Sequence, residues 1–214
     1  MKEKQFLLSA QFIDSANPAV VEFSKKHAAG KTDIDRAVAL YYAVRDEIRY
    51  NPFLDFSDPE AFRASAVLGA GEGFCIGKAA LLAASARAAG IPARVGFADV
   101  KNHLTTPKLA ETMGTDLFIY HGYAELHLEG KWVKATPAFN LALCQRFRVK
   151  PLEFDGRNDS VFHAFDEDER RHMEYLRDRG SFADVPTAEI QQAFRETYPR
   201  FYGLGRDAAK ETFA

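Results

Sequence analysis

From position 33 the apolar residues Ile34, Val38, Tyr41, Val44 and Ile48 recur at three- and four-residue intervals, the spacing of one face of an α-helix. The spacing predicts a helix over about 33–49, with Thr32 placed to cap its first N–H groups and Asn51-Pro52 to end it. A second helix is written in composition rather than in period. Residues 78–89 are drawn only from Ala, Leu, Lys, Arg and Ser, and Gly90-Ile91-Pro92 then supplies a terminal glycine and a proline stop. Between the two lie a loop at 55–59 and a short helical piece at 60–64. Beyond Pro92 the period shortens to two, so 93–100, 118–128 and 131–136 read as strands. Glu129-Gly130 leaves room for a two-residue turn, which makes the last two strands antiparallel neighbours and sets Glu125 opposite Lys134 as a cross-strand charge pair. Residues 101–116 read as an exposed excursion, 166–178 as a charged helix, and 186–198 as a helix capped by Thr187. Helices first and sheet afterwards give an α+β arrangement, with a mainly helical C-terminal extension.

Composition narrows the partners. A chain of 214 residues with 47% apolar content can bury one sizeable core, so a single domain spanning 1–214 is expected, its last part, 141–214, an elaboration. The 28 basic and 30 acidic side chains leave a net charge of −2 without a basic run, which argues against nucleic acid or an anionic membrane as partner. No apolar stretch is long enough to span a bilayer, and the N-terminal one is too short for a secretory signal, so a cytoplasmic protein is expected. Cys75 and Cys144 are too few for a disulfide framework. Cys144 follows the apolar run Leu141-Ala142-Leu143 and reads as a buried structural thiol. His163 and His172 match no metal-ligand spacing, and no metal or other cofactor is expected.

The chemistry concentrates at Gly71-Glu72-Gly73-Phe74-Cys75-Ile76-Gly77. Cys75 falls in or just before the first turn of the alanine-rich helix. There free N–H groups and the positive end of the helix dipole favour a thiolate and offer donors to an oxyanion. Gly73, without a Cβ, leaves room beside Phe74 for a substrate carbonyl to approach. An activated thiol needs a base, and His121 opens a strand on which Tyr123, Glu125 and His127 share its face. In the register set by the turn, Thr136 and Asn140 are its diagonal neighbours. Asn140 is the preferred orienter of the imidazole, with Thr136 as the alternative and Asp99 or Asp155 as substitutes supplied from a loop. Asn51 is a candidate oxyanion donor, Trp132 is core or a wall of the cleft, and His103 lies where the excursion brings it toward a substrate.

Taken together, Gly73-Phe74-Cys75, then Ala88-Ala89-Gly90-Ile91-Pro92-Ala93-Arg94-Val95, then His121 through Glu125, then Trp132-Val133-Lys134-Ala135-Thr136-Pro137 resemble in order and spacing the core pattern of the transglutaminase-like superfamily of papain-fold cysteine enzymes. The resemblance covers about 33–140. It implies a nucleophile-bearing helix packed on an antiparallel sheet, Cys75 as nucleophile and His121 as acid–base. It also implies an Asp where this chain has Thr136, so a Cys75-His121-Asn140 arrangement would resemble the papain-like proteases instead. The activity expected is acyl transfer: hydrolysis of an amide or peptide bond through a thioester, with a peptide, protein or small amide as substrate. Transfer to an amine, or an inactive binding module that keeps the fold, are the alternatives.

Overall fold

The capping box that opens the first long helix is formed in full: Asp35 N–H donates to Thr32 Oγ1 (3.1 Å), and the Asp35 carboxylate accepts from Thr32 N–H (3.1 Å). This computed structural model describes residues 2–102, 111, 113–161 and 173–202. A 3-10 helix at Lys2–Leu7 leads into α1 (Pro18–His27) and α2 (Asp33–Glu47), and β1 (Arg49–Tyr50) follows. A 3-10 turn at Pro59–Phe62 precedes α3 (Ala64–Ala70), β2 (Glu72–Gly73) and α4 (Cys75–Ala88). Then come β3 (Ala93–Asn102), β4 (Leu117–Leu128), β5 (Lys131–Ala135), α5 (Leu141–Phe147), β6 (Met173–Phe182), α6 (Thr187–Thr197) and α7 (Pro199–Tyr202).

The main sheet has the order β5-β4-β3-β6 with every neighbour antiparallel. Glu129 and Gly130 both take positive φ, 47° and 82°, the geometry of a two-residue hairpin turn. The register is the expected one, with Glu125 opposite Lys134 and His127 opposite Trp132. The charge pair is not the expected one. Glu125 is buried and forms its ion pair with Arg94 on β3, and it accepts from Ser181 Oγ on β6 (3.0 Å). Lys134 instead lies 4.9 Å from the centre of the Tyr123 ring. A buried carboxylate gains more from a guanidinium and a hydroxyl inside the sheet than from an ammonium at its surface.

Helix α4 is the hub. Every residue from Cys75 to Arg87 is buried, because the helix packs against β3 and β4 as well as α1, α2 and α3, and alanine all round lets each neighbour come close. Two readings of the C-terminal part are corrected. Residues 173–178, expected in a charged helix, belong to strand β6, which completes the sheet beside β3; 166–172 lie outside the described residues. Thr187 is the first residue of α6 rather than its cap, and its hydroxyl donates to Val185 O (3.3 Å). Among the described residues no helix is long and apolar enough to cross a membrane.

Lys78 shows how tightly the hub is held. Its ammonium is fully buried, and Nζ donates to Arg45 O (3.0 Å) and to Ile48 O, the open carbonyls at the end of α2. Burial pulls its pKa from 10.5 down to about 7. A folded-state pKa below the unfolded one means that the contribution of this group to stability is present above the unfolded value and is lost as pH falls through the folded value. Urea midpoints of wild type and Lys78→Met should therefore diverge in favour of the wild type as pH is raised from about 7 toward about 10. Parallel pH profiles would show that Lys78 keeps an ordinary pKa.

Candidate active site

The loop before the nucleophile is pinned to α2 by a short parallel pairing of β1 and β2, Arg49 with Glu72 and Tyr50 with Gly73. Asn51 N–H donates to Gly73 O (3.0 Å), which carries the pairing one residue further. Gly73 has a packing reason to be glycine, since a Cβ there would lie 2.8 Å from Val67 Cγ1. Asn51 is a brace for the same loop. Its Nδ2 donates to Glu72 Oε1 (3.1 Å) and its Oδ1 accepts from Phe53 N–H (2.9 Å), so the amide is turned onto its own loop. Phe74 caps α4 by its backbone, while its ring packs on Tyr50 and Phe56.

Cys75 is the first residue of α4, as the sequence implies, and the residue is 1% exposed. Strand β4 crosses directly over it. A Cβ on Gly122 would stand 2.8 Å from Ile76 Cα and 3.3 Å from the carbonyl carbon of Cys75, so only glycine lets the strand lie against the helix start. The thiol thereby meets the backbone N–H groups of Gly122, Ile76 and Cys75 itself. These donors favour the thiolate, but burial outweighs them and pushes the thiol up to about 12. The sequence reading expects the opposite shift. A helix start is visible in sequence, whereas the depth of burial is set by β4.

His121, also buried, is the residue immediately before Gly122 and pairs with Ala98 of β3. Nucleophile and base are thus carried by two elements in backbone contact. Strand β5 ends opposite Ala124, so from Tyr123 toward Leu117 this edge of β4 is left by its hairpin partner. Tyr198, at the end of α6, takes up part of it. Its hydroxyl donates to Leu117 O (2.7 Å) and accepts from Ile119 N–H (2.7 Å). Tyr198 and the buried Tyr50 both lie within electrostatic reach of the thiol. Pro52, Phe74, Met113, Phe118, Ile119, Phe194 and Tyr198 line a small apolar cavity of about 10 Å³ at this point. Neither tyrosine carries a signal in the local sequence, because each reaches the site by tertiary packing.

The third member is where structure and expectation part most. Asn140 Oδ1 accepts from Tyr50 N–H (3.2 Å), which ties the start of α5 to β1. Thr136 is buried, its N–H donates to Ser160 O (2.8 Å), and its Oγ1 has no hydrogen-bond partner among the described residues. Asp155 is folded into its own turn, accepting from Arg157 N–H and Asn158 N–H (2.8 Å each), which draws its carboxyl down to about 2. Asp99 lies on β3, not on a loop, with Oδ1 accepting from Tyr120 N–H (3.1 Å) and Arg179 Nε (2.6 Å). Trp132 is away from the thiol. It faces His127, six residues along β4 from His121 or roughly 20 Å, and packs against Phe6 with Arg94 4.2 Å above its ring. Cys144 is buried beside Phe139 O (3.8 Å), and burial raises its thiol to about 11. His103, His163 and His172 lie outside the described residues.

The description of the transglutaminase-like superfamily matches residues 22–137, more than half of the chain. Two solved structures are similar at low identity. A candidate cysteine protease from Cytophaga hutchinsonii is 15% identical over 83% of this chain and 52% of its own, with a TM-score of 0.47. A candidate protease from Parabacteroides distasonis is 18% identical over 63% of this chain and 25% of its own, with a TM-score of 0.40. The chain therefore spans about half the length of the first and a quarter of the second. No curated protein is similar enough in sequence to count as a relative. With its helix-borne cysteine, its His-bearing strand and the match over 22–137, the chain belongs to the transglutaminase-like superfamily.

Proposed function

We propose that the chain is a cysteine-dependent acyl-transfer enzyme that hydrolyses an amide or peptide bond through a thioester on Cys75. The observation that carries this reading is the backbone contact of Gly122 with Cys75 and Ile76, which brings the thiol at a helix start to the residue beside His121. The imidazole takes the thiol proton as sulfur attacks the carbonyl carbon, and the N–H groups at the start of α4 receive the developing oxyanion. His121 then returns the proton to the leaving amine. Water, deprotonated by the same imidazole, resolves the thioester.

Burial sets the order of events. A thiol raised to about 12 stays protonated in the closed site, so proton removal accompanies attack and no thiolate–imidazolium pair stands ready beforehand. The pair is proposed without a carboxylate in the third place, since Thr136 occupies the position and Asn140 is bonded to Tyr50.

Turnover of p-nitrophenyl acetate with and without an added primary amine tests the assignment. Thiol-dependent release of p-nitrophenol with acetate as the main product supports hydrolysis, and N-acetylated amine as the main product replaces it with amine transfer. Turnover that survives alkylation of the thiols, or none at all, overturns the enzyme and leaves a binding module.

A further inference from the structure

We propose that Asp99 is a positioning residue for His121, a one-oxygen clamp on the bulge that sets where the imidazole stands. This rests on the reading of Cys75 and His121 as the reacting pair. Between the pairs Ala98–His121 and Val100–Phe118, β3 spends one residue, Asp99, and β4 spends two, Ile119 and Tyr120. The extra residue lies immediately before His121. Tyr120 adopts φ 53°, the left-handed region that a bulky side chain avoids unless its surroundings impose it. The imposing group is Asp99: its Oδ1 accepts from Tyr120 N–H (3.1 Å), and the same oxygen accepts from Arg179 Nε (2.6 Å). The Arg179 guanidinium also lies 4.2 Å over the Tyr120 ring, so it holds both the clamp and the clamped residue.

The other neighbouring strand gives way at the same place. On β6 the register with β3 shifts both between Phe97 and Ala98 and between Asp99 and Val100. A bulge bends its strand and re-aims the side chains beside it, and here it sits directly before the proposed base. Burying a carboxylate is costly unless it is paired, and Asp99 is buried with Arg179 as its partner. The usual third position, Thr136, holds no carboxylate. Both donors converge on one oxygen, so the clamp needs an acceptor at Oδ1 and not a full charge. Asparagine supplies that acceptor, and alanine does not.

The full-length chain is assayed with p-nitrophenyl acetate as Asp99→Ala, Asp99→Asn, Arg179→Ala and His121→Ala, with melting curves to confirm folding. Asp99→Ala is expected to lower kcat by about tenfold or more, the scale of a misplaced catalytic group, with KM changing less. Asp99→Asn should stay within about threefold of wild type, a rescue that separates placement of the imidazole from general loosening. If Asp99→Ala does not fold, Arg179→Ala carries the test, and a kcat unchanged from wild type overturns the clamp. So does an unchanged kcat in a folded Asp99→Ala, or an Asp99→Asn as slow as Asp99→Ala. A His121→Ala that keeps wild-type turnover instead sinks the Cys75–His121 reading itself. Loss in His121→Ala with no loss in Asp99→Ala rejects only the clamp.

Discussion

Cys75→Ala is expected to lower acyl-transfer turnover by at least about 10³-fold while the fold stays intact, because it removes the only atom proposed to carry the acyl group. Cys75 is buried at the start of a helix that is already alanine-rich, and alanine leaves the backbone contact with Gly122 untouched. The loss of stability should stay within about 1 kcal/mol, since one small atom is deleted from a helix that alanine favours. His121→Ala should be nearly as damaging to turnover, and the double variant hardly worse than either, because the two groups act on one proton. Additive losses in the double variant would mean that the two residues serve separate steps.

The second large effect is structural. Gly122→Ala places a methyl 2.8 Å from Ile76 Cα, 3.1 Å from Ile76 N and 3.3 Å from the carbonyl carbon of Cys75, all of them backbone atoms that no rotamer can move. Either β4 lifts or the start of α4 shifts. The cost expected for such overpacking is about 1–3 kcal/mol, visible in a urea midpoint. Turnover should fall by about 10²-fold even where the protein remains folded, as an ångström of misplacement at a reacting pair suffices. Alanine at Gly69, inside α3 and with nothing within 4 Å of an added Cβ, is the matched control: it should leave turnover unchanged and should hold or raise the urea midpoint, since alanine favours a helix over glycine.

Much of this geometry was legible in the chain. The three- and four-residue rhythm from Ile34 to Ile48, the alanine run after Cys75 and the Glu129-Gly130 turn are local signals, and each produced the element it predicts. Strand β6 was not legible, because an edge strand tolerates charge along its solvent side. Its residues are mostly exposed, and Glu174, Arg177, Asp178 and Arg179 mimic a surface helix. It is defined by pairing with β3, far away in sequence. The upward shift of the Cys75 thiol is hidden from the sequence for a related reason, since the favourable helix start is local and the burial that outweighs it comes from β4 and its neighbours. Asn140 illustrates the limit of register arguments: pairing of β4 with β5 ends at Ala124 and Ala135, and past that point the chain turns its amide toward Tyr50. Trp132 follows the register faithfully and so lands opposite His127, away from the thiol.

The central claim is that Cys75 carries an acyl group whose formation depends on His121. Rapid quenching after mixing with p-nitrophenyl acetate, followed by peptide mass analysis, reads it directly. The account predicts one acetyl group on the Cys75 peptide of the wild type, none on Cys144, and slow or absent acetylation of Cys75 in His121→Ala. An acetyl group on another residue, or on Cys75 at the same rate without His121, would contradict it.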